Sequence, residues 1–487
     1  MSFVPSPRQS AIAEKLFSPE NLLVQACAGS GKTTTMVWLA GMIPAHLRVL
    51  ALSFNKSIAE ELARRMPAHV RSATMHSVGF GMIRKAVRNV RLDDKKLLNL
   101  IDTHPGVVLI QNPTQKAAIV SDLLAVVPLA QDCMADCSNT GILSALAEVA
   151  GRNLEWPDIS LPLVASIVEA SDKMTQYITF GEMIRHPVVH SYPSDFYDVV
   201  MVDEAQDLNS SQHALLHKLV RPGTGKLIAV GDRFQSIYGF RGADPRSMDR
   251  LKADWNMSEL PLDVSYRCAS GIIAEAQKIV GEDTIKAKPD AQAGSVETAS
   301  YASIIDSMQE GDMGLCRMNA PLVPVALKLI KAGKKAQIRG RDIGAQLGAL
   351  VRRSRAATIV DLISWLSDWK RDKVKKLIAA KKSDAAIQAV EDQSDTLQAI
   401  AEESESPAEV LEKISALFDD QRAGITLSTV HKAKGLEADT VWILGPELLP
   451  APWAKGPSEL EQERNISYVA TTRAMRRLVR VSLPKRD

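Results

Sequence analysis

The sequence predicts an α/β protein built from two domains with parallel sheets, each interrupted by a helical insertion. Three observations predict it. Short β-branched runs alternate with helical patterns, as strands joined by crossover helices do. Three of these runs end in polar clusters, and ligands of open α/β sheets sit at the carboxyl ends of strands. Two long stretches read as helical, and connections of that length are not loops.

The first strand is LLVQACA (Leu22 to Ala28), running into a Gly-rich turn, with a helix expected from Lys32 to about Met42. VLALSF (Val49 to Phe54) and SIAEELARRM (Ser57 to Met66) read as the next strand and helix. DVVMVDEA (Asp198 to Ala205) and KLIAVGD (Lys226 to Asp232) are strands with carboxylates at their C-terminal ends. Later strands are expected at SVETASY (Ser295 to Tyr301), GLCRM (Gly314 to Met318), AQIRG (Ala336 to Gly340), ITLSTV (Ile425 to Val430), TVWILG (Thr440 to Gly445) and LVRVSL (Leu478 to Leu483). The expected division is 1–85 with 169–264 as the first α/β domain and 86–168 as its insertion. The second is 265–341 with 422–487, interrupted by a short helical insertion over 342–421.

At 487 residues the chain exceeds one ordinary core, and 46% apolar with 24% charged residues is a soluble globular profile. No apolar run approaches the roughly 18 to 20 residues that span a bilayer. MSFVPSPRQS lacks the basic-then-apolar order of a secretory signal. The expectation is a cytoplasmic protein, nucleoid-associated in a prokaryote, with no membrane partner. Five scattered cysteines, with no His or second Cys pair beside Cys133 and Cys137, read as reduced packing thiols. Net charge is only +2, but Lys328 to Lys382 is markedly basic and Asp384 to Asp420 acidic.

ACAGSGKT (Ala26 to Thr33) follows a strand and opens a helix, the setting a phosphate-binding loop requires. Its glycines let backbone N–H groups of Ala28, Gly29, Ser30 and Gly31 close around phosphates. Lys32 would reach the β- and γ-phosphates of ATP, and Thr33 would hold Mg²⁺. The strict pattern wants Gly at position 26 and finds Ala. In DEAQ (Asp203 to Gln206), two carboxylates end a buried apolar run, which is costly unless they bind metal or do chemistry. Asp203 is the candidate for Mg²⁺ through water, and Glu204 for taking the proton of the attacking water.

In order along the chain stand ACAGSGKT, SFNKSIAEEL, TMHS, VDEAQD, VGDRFQSIYGFRGA, LDVSYRC, ITLSTVHKAKGLE and EQERNISYVATTRA. Through these strings, from Gln9 to Ala474, the chain resembles UvrD/Rep/PcrA-type superfamily 1 helicases. The resemblance implies two RecA-like P-loop domains and assigns roles. Gln9 would read the adenine edge, Tyr266 stack on the base and Glu437 bind the ribose. Gln235 would sense the γ-phosphate, and Arg267 and Arg473 would be arginine fingers. Phe54, Asn55, Thr74, His76, Tyr238, Phe240, Arg241, Thr429 and His431 match DNA-contact positions, where aromatic platforms accept any base by stacking.

There are departures too. Thr34 stands where relatives often carry an adenine-packing Arg, Phe240 replaces the usual Trp, and the second insertion is shorter than in large members. Little chain follows Arg473, so neither a fused nuclease nor a partner-binding extension is expected. The resemblance implies an ATP- and Mg²⁺-dependent 3′–5′ helicase acting on single-stranded DNA and single-strand/duplex junctions. The alternatives are a translocase that strips proteins with little unwinding, or an ATP-gated loading module. Pathway (repair, replication or recombination) and protein partners are open in the sequence.

Overall fold

The computed structural model describes residues 4–54, 56–150, 152, 154–239, 244–379, 384–418 and 424–484. The chain divides into two compact units, Met1–Asp263 and Val264–Asp487.

In the first unit six strands, β1 (Leu22–Ala26), β2 (Val49–Ser53), β3 (Val70–Thr74), β4 (Val199–Val202), β5 (Lys226–Gly231) and β6 (Ser258–Leu262), form one sheet. The order is β3-β2-β4-β5-β1-β6 and every pairing is parallel. Both faces are covered, which is why the central strands are apolar throughout rather than alternating. Leu23, Leu50, Leu52, Val200, Val202, Leu227 and Ala229 enter the core on one face. Their strand neighbours Leu22, Val24, Val49, Ala51, Val199, Met201, Ile228 and Val230 enter the core on the other. The sequence pattern concealed β3 (VRSAT) and β6 (SELPL) because they are edge strands, where Arg71, Glu259 and Pro261 are tolerated.

The insertion of this unit is helical, with Lys96–Thr103, Pro113–Asp132, Thr140–Val149 and Pro157–Lys173 around a core of their own that includes Ile101, Leu123, Val126, Leu143 and Ile167. The expected boundary at residue 168 falls inside the last of these helices. Its base is closed by Arg91–Leu92 pairing with Tyr177–Ile178. A fully buried ion pair fastens this base: Lys96 Nζ lies 2.7 Å from Glu182 and also donates to the carbonyls of Ser171 and Met174. Glu182 further accepts from Ser171 Oγ at 2.5 Å, Gln131 Nε2 at 3.1 Å and the amide of Thr179 at 2.8 Å. Burial opposes its ionisation, yet His186, the Lys96 ammonium and Ser171 hold its carboxyl down at about 2.

In the second unit β7 (Ser295–Thr298), β8 (Met313–Cys316), β9 (Ala336–Ile338), β10 (Ile425–Thr429), β11 (Ala438–Leu444) and β12 (Ala474–Val481) make a second parallel sheet, in the order β7-β12-β11-β8-β10-β9. The last strand begins at Ala474 rather than at Leu478, because Arg476 and Arg477 masked its start. Arg477 pairs with Glu297 on β7 and lies over the ring of the buried Trp442. The helices Arg341–Ser354, Ile359–Ala379, Asp384–Ala401 and Pro407–Leu417 form the second insertion. Unlike those of the first insertion, its described buried residues join the core of the unit that carries it. Leu347, Leu362, Leu397, Ile400 and Ile414 join Ile338, Leu427 and Trp442 in a single cluster.

Both sheets give the α/β class that the sequence predicts. All five cysteines are free thiols. No helix among the described residues is long and apolar enough to cross a membrane.

Candidate nucleotide and nucleic-acid site

The phosphate loop leaves β1 at Ala26 and enters the helix Lys32–Met42. Gly29 and Gly31 have φ of 72° and 80°, a left-handed conformation that side-chain-bearing residues resist. Gly31 caps the helix without a side-chain bond, so the first-turn N–H groups remain available to an anion. Ser30 is tied back to the carbonyl of Cys27 at 2.9 Å. Ala26 is a buried strand residue, which explains why Gly is not needed there.

Gln9 is buried, its amide donating to Thr35 Oγ1 at 2.8 Å and its Oε1 accepting from the amide of Ser6. A Cβ on Gly31 would lie 4.0 Å from Gln9 Nε2, so this amide borders the loop. Thr34 accepts from Arg65 Nη2 at 3.1 Å. A guanidinium therefore stands beside position 34, supplied from the helix Lys56–Arg65 instead of from position 34 itself.

The carboxylates meet the loop at the end of β4. Thr33 Oγ1 lies 3.5 Å from Asp203 Oδ2, and Lys32 Nζ lies 4.0 Å from Glu204. Glu204 has φ 52°, strain for a non-glycine residue, and strain of this kind clusters at functional sites. Burial first, then the charge of Glu204, pushes the Asp203 carboxyl well above the usual carboxylate range. A carboxyl with raised folded-state pKa costs stability when it ionises, so the loss grows as pH rises from the unfolded value through the folded one. Asp203→Asn is accordingly expected to raise the melting midpoint at pH 7.5 by a few degrees while lowering hydrolysis, read by calorimetry and ATP turnover. A hard-oxygen pair of hydroxyl and desolvated carboxylate fits Mg²⁺.

Sequence reasoning gave Gln206 no role and noted Asp232 only as the carboxylate that ends KLIAVGD, yet they tie the site together. Gln206 Nε2 donates to Glu204 at 2.5 Å, and Gln206 Oε1 accepts from the amide of Asp232 at 3.0 Å. Asp232 is wholly buried and accepts from Gln235 Nε2 at 2.8 Å. The signal was present in DEAQ and GD, but an amide two residues past a carboxylate draws no notice without the fold. Gly231 shows how tight this junction is, since a Cβ there would lie 2.7 Å from Gln206 Oε1. Gly231→Ala is expected to cost about 1–3 kcal/mol of stability, measured by urea unfolding, together with part of the ATP turnover.

On the first unit, a cavity of about 1180 Å³ is lined by Phe54, Thr74, His76 and Tyr238, together with Lys56 and Arg71. Phe54 and Tyr238 face each other nearly parallel, centroids 6.3 Å apart at 4°. Burial pushes the His76 imidazole down to about 4, so it is a neutral ring at pH 7, and it stacks on Phe180 at 4.0 Å. Phe180 was not anticipated, because TFGEM carries no recognisable pattern; its 59% exposure beside a stacked ring is what exposes it. Thr74 caps the helix Met75–Ala86 by accepting from the amide of Ser77. Asn55, Phe240 and Arg241 lie outside the described residues.

On the second unit, Arg267 Nε pairs with Glu437 at 2.6 Å, and Tyr266 is half exposed. Arg473 is buried, donating to the carbonyls of Val469 and Leu436. Arg317 holds Glu463 at 2.7 Å, fixing the helix Pro457–Thr471 that leads to Arg473. Thr429 ends β10, and His431 follows it beside Lys432, which pairs with Asp342 at the start of the second insertion.

Comparison with known proteins identifies the family. The UvrD/REP helicase N-terminal domain matches residues 6–256, and the UvrD-like helicase C-terminal domain matches 325–483. F-box DNA helicase protein 1 of Schizosaccharomyces pombe is 25% identical over 97% of this chain, which spans 56% of that protein. A probable DNA helicase II homolog of Rickettsia conorii is 23% identical, covering 94% of this chain and 89% of its own. The ATP-dependent DNA helicase PcrA of Staphylococcus aureus is 24% identical over 53% of this chain and 38% of its own. The chain spans about half the length of several curated relatives it matches. With more than half of its residues matched by the N-terminal domain alone, the chain belongs to the UvrD/REP helicase family.

Proposed function

We propose that this protein is an ATP-driven motor that moves 3′ to 5′ along single-stranded DNA and opens the duplex at a single-strand/duplex junction. The observation that carries this reading is the unbroken connection from Glu204 through Gln206 to Asp232 and Gln235, with Tyr238 three residues further on in the aromatic cavity. A change at the phosphate side is transmitted along one short segment to a ring that stacks on bases.

ATP is held by the phosphate loop, with Gln9 at the adenine, and by the family resemblance Tyr266 would stack on the base and Glu437 bind the ribose. Mg²⁺ held by Thr33 and Asp203 would neutralise phosphate charge. Glu204 takes a proton from the attacking water. A phosphate that draws Lys32 from its position 4.0 Å from Glu204 raises the proton affinity of that carboxylate, which strengthens it as a base. Gln235 senses the γ-phosphate, and Arg267 and Arg473 supply positive charge as charge spreads over it. Phe54, Thr74, His76 and Tyr238, with Phe180 added, hold the strand on the first unit, and by the family resemblance Asn55, Phe240, Arg241, Thr429 and His431 would contact DNA as well.

Phe180→Ala is expected to weaken single-strand binding by about 1–3 kcal/mol, measured by fluorescence anisotropy, with basal ATP turnover unchanged. Arg65→Ala is expected to raise the KM for ATP several-fold with little change in kcat, since it acts on nucleotide binding. Polarity is tested with labelled duplexes bearing a 3′ or a 5′ tail. Separation of the 3′-tailed substrate alone supports the reading. Movement along single strands with neither duplex separated would make the protein a translocase that strips bound proteins instead.

A further inference from the structure

Within the cavity that holds His76 and Phe180, one carboxylate is out of place. Asp132 is the last residue of the helix Pro113–Asp132, where a negative charge opposes the helix dipole. It lines the cavity together with Phe54, His76, Phe180 and Tyr238. Among the described residues its carboxylate has neither a hydrogen bond nor an ion pair, whereas its neighbour Gln131 is turned inward to Glu182. Burial pushes its carboxyl up to about 6, with the charge of Arg185 drawing it back, so it is ionised at neutral pH. Gly181, directly after Phe180, leaves room for it: a Cβ there would lie 3.3 Å from Asp132 Oδ1. An unpaired carboxylate facing a polyanion weakens binding unless the ligand brings a donor to it.

We propose that Asp132 selects bases: its carboxylate accepts a hydrogen bond from the exocyclic amino group of a base stacked on the His76–Phe180 pair, favouring the amino-bearing bases cytosine, adenine and guanine over thymine. The inference rests on the reading of this cavity as the single-strand path. Cytosine presents its N4 amino group, adenine its N6 amino group and guanine its N2 amino group beside N1–H. Thymine has no amino group, and its one donor, N3–H, lies between two carbonyl oxygens that repel a carboxylate. Stacking supplies affinity for any base, and Asp132 adds discrimination at one step of the path.

The test is anisotropy titration of the full chain with short labelled oligo-dC, oligo-dA and oligo-dT. Wild type is expected to bind oligo-dC about fivefold or more tightly than oligo-dT. Asp132→Asn, which keeps the shape and offers both donor and acceptor, is expected to bring that ratio within about twofold, with oligo-dT gaining. Asp132→Ala should do the same by removing the repulsion. Equal binding of oligo-dC and oligo-dT by wild type, or an unchanged ratio in both variants, overturns the proposal and leaves the motor reading intact. Failure to bind any oligonucleotide overturns both.

Discussion

Glu204→Gln is expected to lower ATP turnover by about two to four orders of magnitude, the range over which a positioned general base contributes. Nucleotide binding should survive, because the phosphate loop, Thr33 and Asp203 are untouched. The substitution is nearly isosteric, and the strained φ of 52° at this position is unchanged by it. The Gln206 amide, which donates to Glu204 at 2.5 Å, can still find the carbonyl oxygen of the new side chain. A loss confined to kcat in steady-state assays, with KM for ATP within about twofold, separates removal of the base from collapse of the site. A variant with unimpaired turnover would take the catalytic role away from Glu204.

Lys96→Met is expected to destabilise the first unit by about 3–5 kcal/mol, the usual cost of leaving one partner of a buried ion pair alone. Both side chains are fully buried, and three further donors, from Gln131, Ser171 and Thr179, converge on the Glu182 carboxylate, so removing Lys96 leaves a buried charge without its counter-ion. The folded pKa of Glu182 is depressed to about 2. Its contribution is therefore present above the unfolded carboxylate pKa and is lost as pH falls through the folded value. Lys96→Met with Glu182→Leu should recover much of the loss, because an apolar pair of similar volume replaces the ions. Chemical unfolding of the two variants gives the comparison. Equal stability of Lys96→Met and wild type would contradict the account of how the insertion is anchored.

How much of this was legible beforehand follows from local chemistry. The central strands β1, β2, β4 and β5 were readable because burial on both faces makes them continuous apolar runs. The edge strands β3 and β6 were not, since solvent on one side lets Arg71 and Pro261 into them. Lys32, Thr33, Asp203 and Glu204 stood out as charged or polar groups in apolar or glycine-rich settings. Gln206 and Phe180 did not, and Asp232 showed only as a strand-end carboxylate, because their partners lie on other elements. The Lys96–Glu182 pair joins residues 86 positions apart, and nothing local marks either one. The Arg65 guanidinium donates to Thr34 from another turn of the fold, a neighbour that a motif read along the chain does not show.

The central claim is that hydrolysis at Glu204 is coupled to a strand in the aromatic cavity. The most direct test is ATP turnover of the wild-type chain with and without single-stranded DNA. The account predicts strong stimulation by DNA that is lost in Glu204→Gln and weakened in Phe180→Ala. Turnover that is the same with and without DNA would contradict it, and would leave the connection from Gln206 to Gln235 as a structural brace rather than a coupling element.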